Sequence, residues 1–328
     1  MRKSETEELY VEKILEKIPP HIKPVSFLVE NLEISKESAY RRLRGKIPFT
    51  FDEIIRLSNK LQFSLEEIVP TRNEGNIVFT LPEYPNLEYE DYLHAVLMNY
   101  QNQISEIIQA KENRVMLSMN HLWPIFIFGM EHFFKLFYYK WVRQKYSNSF
   151  HLSMRDLIVP EKIKELKKSI SQATTLLQSV VIIADRDIYL NAAKELQYYY
   201  RRKLLTEEEF NLICDDLEGN INEIMQMVLE GRNKIGNVRE MYISSLGIFS
   251  NNSYIEFDDK VTSFSYVYGI RSIKTTDPIA CQSHKVSLEC LKKNSVLISL
   301  SNEELQMDFF NKQKEYIKQL KNDEELIL

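Results

Sequence analysis

The sequence predicts a mainly α protein. A five-helix N-terminal domain is expected over residues 1–70, a linker over 71–86, and a larger helical domain with a small antiparallel sheet over 87–328. Three observations predict this. Apolar residues recur at helical spacing, caps and prolines punctuate short segments before residue 70, and β-rich runs are confined to the stretch after Gly236. With 328 residues, 44% of them apolar, the chain is long enough to bury two cores.

The opening segment "SETEELYVEKILEKI" carries an apolar stripe of Leu9, Ile14 and Ile18 and stops at Pro19-Pro20, which cannot continue a helix. In "KPVSFLVENLEI", Pro24 sits in the first turn, where its missing N–H costs nothing. Ser35 is placed to cap "KESAYRRLRGK", and Gly45 to end that helix in a left-handed turn. Thr50 with Glu53, and Ser64 with Glu67, form capping boxes that start "FDEIIRLSNKLQ" and "LEEIV". Ile54, Ile55, Leu57, Leu61, Leu65 and Ile68 are expected to close a small core.

The stretch "PTRNEGNIVFTLPEYPNLEYED" has too many prolines and turn residues for a helix and marks the linker. Long helical patterns follow over roughly 87–112, 119–145, 160–178, 188–204 and 207–231, the last opened by a Thr206–Glu209 capping box. After Gly236, "REMYISSLGIF" and "SYIEF" flank "SNN" as a hairpin, and "TSFSYVYGIRSI" adds a third β-rich run. "DPIACQSHKVSLECLKK" and "SNEELQMDFFNKQKEYIKQL" read as closing helices, and the lack of any repeat period argues against a solenoid.

A net charge of −5 advertises neither nucleic acid nor an acidic membrane surface, but it hides an asymmetry. Residues 1–70 balance twelve Lys/Arg against twelve Asp/Glu, whereas residues 34–46 hold five bases, Lys36, Arg41, Arg42, Arg44 and Lys46, against the single acid Glu37. The odd, widely spaced Cys214, Cys281 and Cys290 form no C-x-x-C pair, and "MRKSETEELY" has no apolar core of a signal peptide, so a reducing, cytoplasmic location is expected. The aromatic segment "LWPIFIFGMEHFFKLFYYKWV" has a nine-residue apolar run, Leu122 to Met130, before Glu131, His132, Lys135 and Lys140. That is short of the roughly 20 apolar residues of a membrane span, so a buried helix and no membrane partner are expected.

The pieces "FLVENLEIS", "KESAYRRLRGK" and "FDEIIRLSNKLQFSLEEIV" together resemble the Cro/C1-type (XRE-like) helix-turn-helix family over about the first seventy residues. The resemblance implies a lambda-repressor-like DNA-binding domain, with residues 36–44 as the recognition helix of a transcriptional regulator. Two positions depart from the family: Val29 stands where a small residue is usual, and Glu33 where glycine usually makes the turn.

A recognition helix enters the major groove N-terminal end first, so its early polar residues meet base edges. Ser35, Lys36, Glu37, Ser38, Tyr40, Arg41, Arg44 and Lys46 therefore form the candidate DNA-binding set, while Ala39 and Leu43 face the core. Arg41 is the expected base reader, its planar donors matching guanine, with Lys36 beside it. Arg44 and Lys46 suit phosphate, Ser38 and Tyr40 can donate to either, and Arg42 fits either side of the helix. The rival reading is a protein-interaction adaptor, favoured by the near-neutral charge of the domain.

The rest of the chain shows no phosphate-cradling glycine loop, no H-E-x-x-H and no G-x-S-x-G, and no enzyme, cofactor or metal is expected. His121 and His132, three helical turns apart, and Asp185 with Asp187 in "ADRD" are weighed as a metal pair and an acid pair and set aside in favour of packing and a helix start. The aromatic concentration suits a core and dimer interface, or an apolar pocket for a small-molecule effector. His121, Trp123, Phe126, Phe133, Phe137, Tyr199 and Arg202 are the candidate lining. Because one such domain covers one half-site, a homodimer formed through residues 87–328 is expected, with double-stranded DNA as the partner.

Overall fold

A computed structural model of the chain describes residues 5–61, 63, 65, 68, 77–82, 84, 87, 89–145, 152–268, 271–324 and 326. The chain divides into two compact units, Met1–Val78 and Phe79–Leu328, with the division inside the stretch that reads as linker.

The first unit holds α1 (Glu5–Lys17), α2 (Pro24–Leu32), α3 (Lys36–Leu43) and α4 (Phe51–Leu61). Tyr10, Val11 and Ile14 of α1, with Ile18 just after it, pack with Phe27, Leu28 and Leu32 of α2, Ala39 of α3 and Leu57 of α4. The Tyr10 ring meets Phe49 edge-on at 5.3 Å, and its hydroxyl donates to the Ile54 carbonyl at 3.1 Å, which ties α1 to α4. The expected fifth helix and its Ser64–Glu67 box lie largely outside the described residues, although Ile68 is buried in this core. Ile55 is a correction: it is 38% exposed, because one residue further round α4 than Ile54 turns it by about 100° toward solvent.

The second unit corrects the expectation of a mainly α chain with a small antiparallel sheet. Its strands are β1 (Asn113–Met119), β2 (Ser179–Ala184), β3 (Val238–Ser244), β4 (Asn252–Phe257), β5 (Lys260–Tyr268), β6 (Arg271–Thr275) and β7 (Ser295–Leu297). They form one seven-stranded mixed sheet in the order β6-β5-β4-β1-β2-β3-β7, and the unit is α+β. β1, β2 and β3 run parallel at its centre, and the remaining pairs are antiparallel.

The central strands escape the sequence pattern for a physical reason. "NRVMLSM" and "SVVIIA" are buried almost throughout, so neither shows the alternation of a half-exposed strand. A short continuous apolar run cannot be told from buried helix by its period. The expected "REMYISSLGIF"/"SYIEF" hairpin is a second correction, since β3 and β4 are separated by β2 and β1. β4 pairs instead with β5 across Asp258–Asp259.

The intervening helices are α5 (Tyr89–Gln109), α6 (Pro124–Ile127), α7 (Glu131–Lys145), α8 (Glu161–Thr175), α9 (Ile188–Arg201), α10 (Glu207–Glu230), α11 (Pro278–Lys293) and α12 (Glu303–Lys321). Val115, Leu117 and Met119 of β1 face a core shared with α9, α10 and α12, while Met116 faces Cys281 and Leu288 of α11 on the opposite side of the sheet. The aromatic segment splits into α6 and α7, and no helix among the described residues is long and apolar enough to cross a membrane.

Two topological facts position the sites. In the first unit, α2 and α3 are joined by only Glu33, Ile34 and Ser35. In the second, residues 245–251 carry the chain from the end of β3 past β2 and β1 to β4, across the carboxyl ends of the parallel strands.

Candidate functional site

The α2–α3 turn is built from local chemistry. Glu33 closes α2 in the left-handed region, φ 56° and ψ 36°, the conformation glycine supplies most cheaply. Ser35 then caps α3, its hydroxyl accepting from the Ser38 amide at 3.2 Å. At the far end Gly45 takes φ 63°. The Lys46 amide donates to Arg41 O and the Gly45 amide to Arg42 O, both at 2.8 Å, which is the paired closure of a Schellman motif.

The five bases of this region divide into two groups. Arg42 turns inward: its Nε and Nη2 donate to the two carboxylate oxygens of Glu53 at 3.0 and 2.8 Å, and its Nη1 donates to the Ser38 hydroxyl. Glu53 also accepts from the Thr50 amide at 2.8 Å, and the Thr50 hydroxyl accepts from the Glu53 amide at 3.3 Å, so the capping box of α4 holds the guanidinium of α3. Burial alone would raise the Glu53 carboxyl, but the hydrogen bonds from Arg42 and Thr50 and the guanidinium charge bring it below the usual carboxylate range.

The other four bases, Lys36, Arg41, Arg44 and Lys46, are exposed, as are Ser35, Glu37 and Tyr40. Arg44 lies over the Tyr40 ring at 5.8 Å, and that ring is itself 50% exposed. Ser38 differs from the rest of the candidate set, because it is half-buried and its hydroxyl is engaged by Arg42.

The second unit has an open pocket of about 440 Å3 at the carboxyl ends of β1 and β2, where open parallel sheets commonly bind ligands. Asn120, His121 and Leu122 follow β1, Phe133, Phe137, Lys140 and Trp141 come from α7, Asn191 and Glu195 from α9, and Phe249 to Asn251 from the crossing segment. Asn251 Oδ1 accepts from the Asn120 and His121 amides at 2.9 and 3.2 Å, and Asn251 Nδ2 donates to His121 O at 3.2 Å. Asn120 Nδ2 donates to Ile248 O at 2.8 Å. Burial lowers the His121 pKa, Glu195 and Asp185 pull it back up, and Lys140 depresses it further, leaving it below the ordinary histidine value.

Of the expected lining, His121, Phe133 and Phe137 meet at this cavity. Trp123, Phe126, Tyr199 and Arg202 do not. Trp123 is buried edge-on to Tyr266 at 4.5 Å and borders a separate cavity of about 50 Å3. Phe126 packs on the main core, Tyr199 lies edge-on to Tyr139 at 5.7 Å, and Arg202 caps α9 over Tyr198 at 5.1 Å. Asp187 starts α9 and is held by Tyr316 at 2.7 Å and Lys312 at 3.0 Å. Asn120, Asn191, Asn251, Trp141 and Phe249 were missed. The signal that could have found them is adjacency to the ends of parallel strands, which was hidden because β1 and β2 fall between the expected helices, where no strand is expected.

No protein-family model, curated protein or solved structure matches this chain.

Proposed function

We propose that the protein is a sequence-specific DNA-binding transcription regulator in which α3 docks in the major groove while the second unit pairs two copies and carries an effector site. The observation that carries this reading is the division of the bases on α3 and just beyond its end. Arg42 is held by Glu53, and Lys36, Arg41, Arg44 and Lys46 stand exposed without an acidic partner among the described residues. A fixed helix with a free basic face is what groove insertion needs: the half-buried pair sets the direction and the free side chains make the contacts. Arg41 is assigned to guanine, with Lys36 beside it, and Arg44 and Lys46 to phosphate. The three-residue α2–α3 turn fits the helix-turn-helix arrangement.

A protein-interaction role has its own observation. Phe51 and Ile55, four residues apart on α4, are 70% and 38% exposed, which suits a partner's apolar surface. DNA-fragment binding by the full-length protein and its Arg41→Ala/Arg44→Ala variant separates the two readings, since only the first requires those arginines.

A further inference from the structure

The cavity of the second unit has a chemistry that narrows its ligand, and this deepens the effector reading on which it rests. Among the described residues its charged lining is one matched pair, Lys140 and Glu195, 2.6 Å apart. Neither a cation nor an anion would find an uncompensated partner there, and each would displace an existing one. The aromatic walls are Phe133, Phe137, Trp141, Tyr266 and Phe249. Phe249 is 99% exposed at the end of the parallel strands, an apolar ring standing in water at the rim of the pocket.

Two of the polar groups present acceptors to the pocket. Asn120 Nδ2 is committed to Ile248 O, so its Oδ1 faces His121 Nδ1 at 2.7 Å and accepts the hydrogen bond of an Nδ1–H. That fixes the tautomer and leaves Nε2 as an acceptor, with no partner among the described residues. Asn191 Nδ2 donates to Asn120 O at 3.2 Å, which leaves its Oδ1 as a second acceptor in the same wall. Its volume, about 440 Å3, falls within the roughly 300–1,000 Å3 of small-molecule sites.

We propose that this cavity binds an uncharged small molecule with an aromatic body and an N–H or O–H donor, its ring among Phe137, Trp141 and Phe249 and its donor on His121 Nε2 or Asn191 Oδ1.

The test titrates the full-length protein with three pairs of probes followed by ligand-observed NMR: nicotinamide and nicotinate, indole-3-acetamide and indole-3-acetate, adenosine and adenosine monophosphate. At least one neutral member is expected to bind saturably in the millimolar range or tighter, and its anion at least about tenfold more weakly. Phe249→Ala, which removes a wholly exposed ring and leaves the core intact, is expected to weaken the neutral ligand about tenfold. His121→Phe keeps a ring but loses the acceptor and is expected to do the same. Absence of saturable binding by every neutral probe overturns the proposal, and so does equal binding of the anions or indifference to both substitutions. Neutral binding that leaves DNA affinity unchanged supports the cavity assignment and overturns only the effector reading.

Discussion

The guanidinium of Arg42 on α3 forms a two-point pair with the carboxylate of Glu53 on α4, at 3.0 and 2.8 Å, and that carboxylate is also half of the capping box that begins α4. One acidic side chain thus starts one helix and fixes the rotation of its neighbour. The exposed basic face of α3 follows from which arginine Glu53 holds.

The pair is only 11% and 14% exposed at its two side chains, so it should couple measurably. A double-mutant cycle with Arg42→Ala and Glu53→Ala, read by denaturant unfolding of the full-length protein, is expected to give an interaction energy of roughly 1–3 kcal/mol. Arg42→Lys should recover little, because an ammonium cannot make the planar two-point contact. Additive single substitutions would show that the pair does not hold the helices together.

The two turns that flank α3 should respond in opposite ways to glycine chemistry. Gly45 at φ 63° is where a side chain is strained, and Gly45→Ala is expected to cost about 1 kcal/mol or more. Glu33 already bears that strain at φ 56°, so Glu33→Gly is expected to be neutral or stabilising by up to about 1 kcal/mol. Thermal unfolding of both variants checks this, and equal destabilisation by the two would contradict it.

Acid should loosen the same contact. The Glu53 carboxyl titrates below its unfolded value, because its hydrogen bonds with Arg42 and Thr50 outweigh burial. Its contribution is therefore fully present above the ordinary glutamate range and is lost as pH falls through the folded value. Glu53→Gln should lower stability at neutral pH and flatten the acid limb of stability against pH. An acid limb unchanged in that variant would place the titration elsewhere.

Pairing of two copies predicts a particle of about twice 38.9 kDa by light scattering across the micromolar range. A monomer throughout that range would rule out the proposed role of the second unit in spacing two copies of α3.

The first unit was readable because its signals are local. Pro24, Ser35, Gly45 and the Thr50–Glu53 box each act within one turn of the chain, and they place α2, α3 and α4 within two residues at their starts. The side on which Arg42 falls was not readable, since its partner lies eleven residues away on another helix. The second unit was readable only in part. Thr206 and Glu209 do start α10 as a complete capping box, but β1 and β2 are buried on both faces and lack the alternation that identifies a strand. With the parallel centre of the sheet unseen, the cavity at its edge could not be assembled: Asn120 follows β1, Asn191 lies on α9, and residues 245–251 bring Asn251 to them past the ends of β2 and β1.

The central claim is that the free basic face of α3 reads DNA, and selection of bound sequences from a random duplex pool, followed by salt-dependent affinity measurements, tests it most directly. The full-length protein is expected to enrich a defined site, with affinity falling steeply with salt. Arg41→Ala should lose roughly 1–3 kcal/mol and relax the preference at one base pair, and Arg44→Ala should weaken all sequences alike and reduce the salt slope by about one. No enriched sequence, or retention of duplexes by the Arg41→Ala/Arg44→Ala variant equal to that of the unaltered protein, would contradict the account.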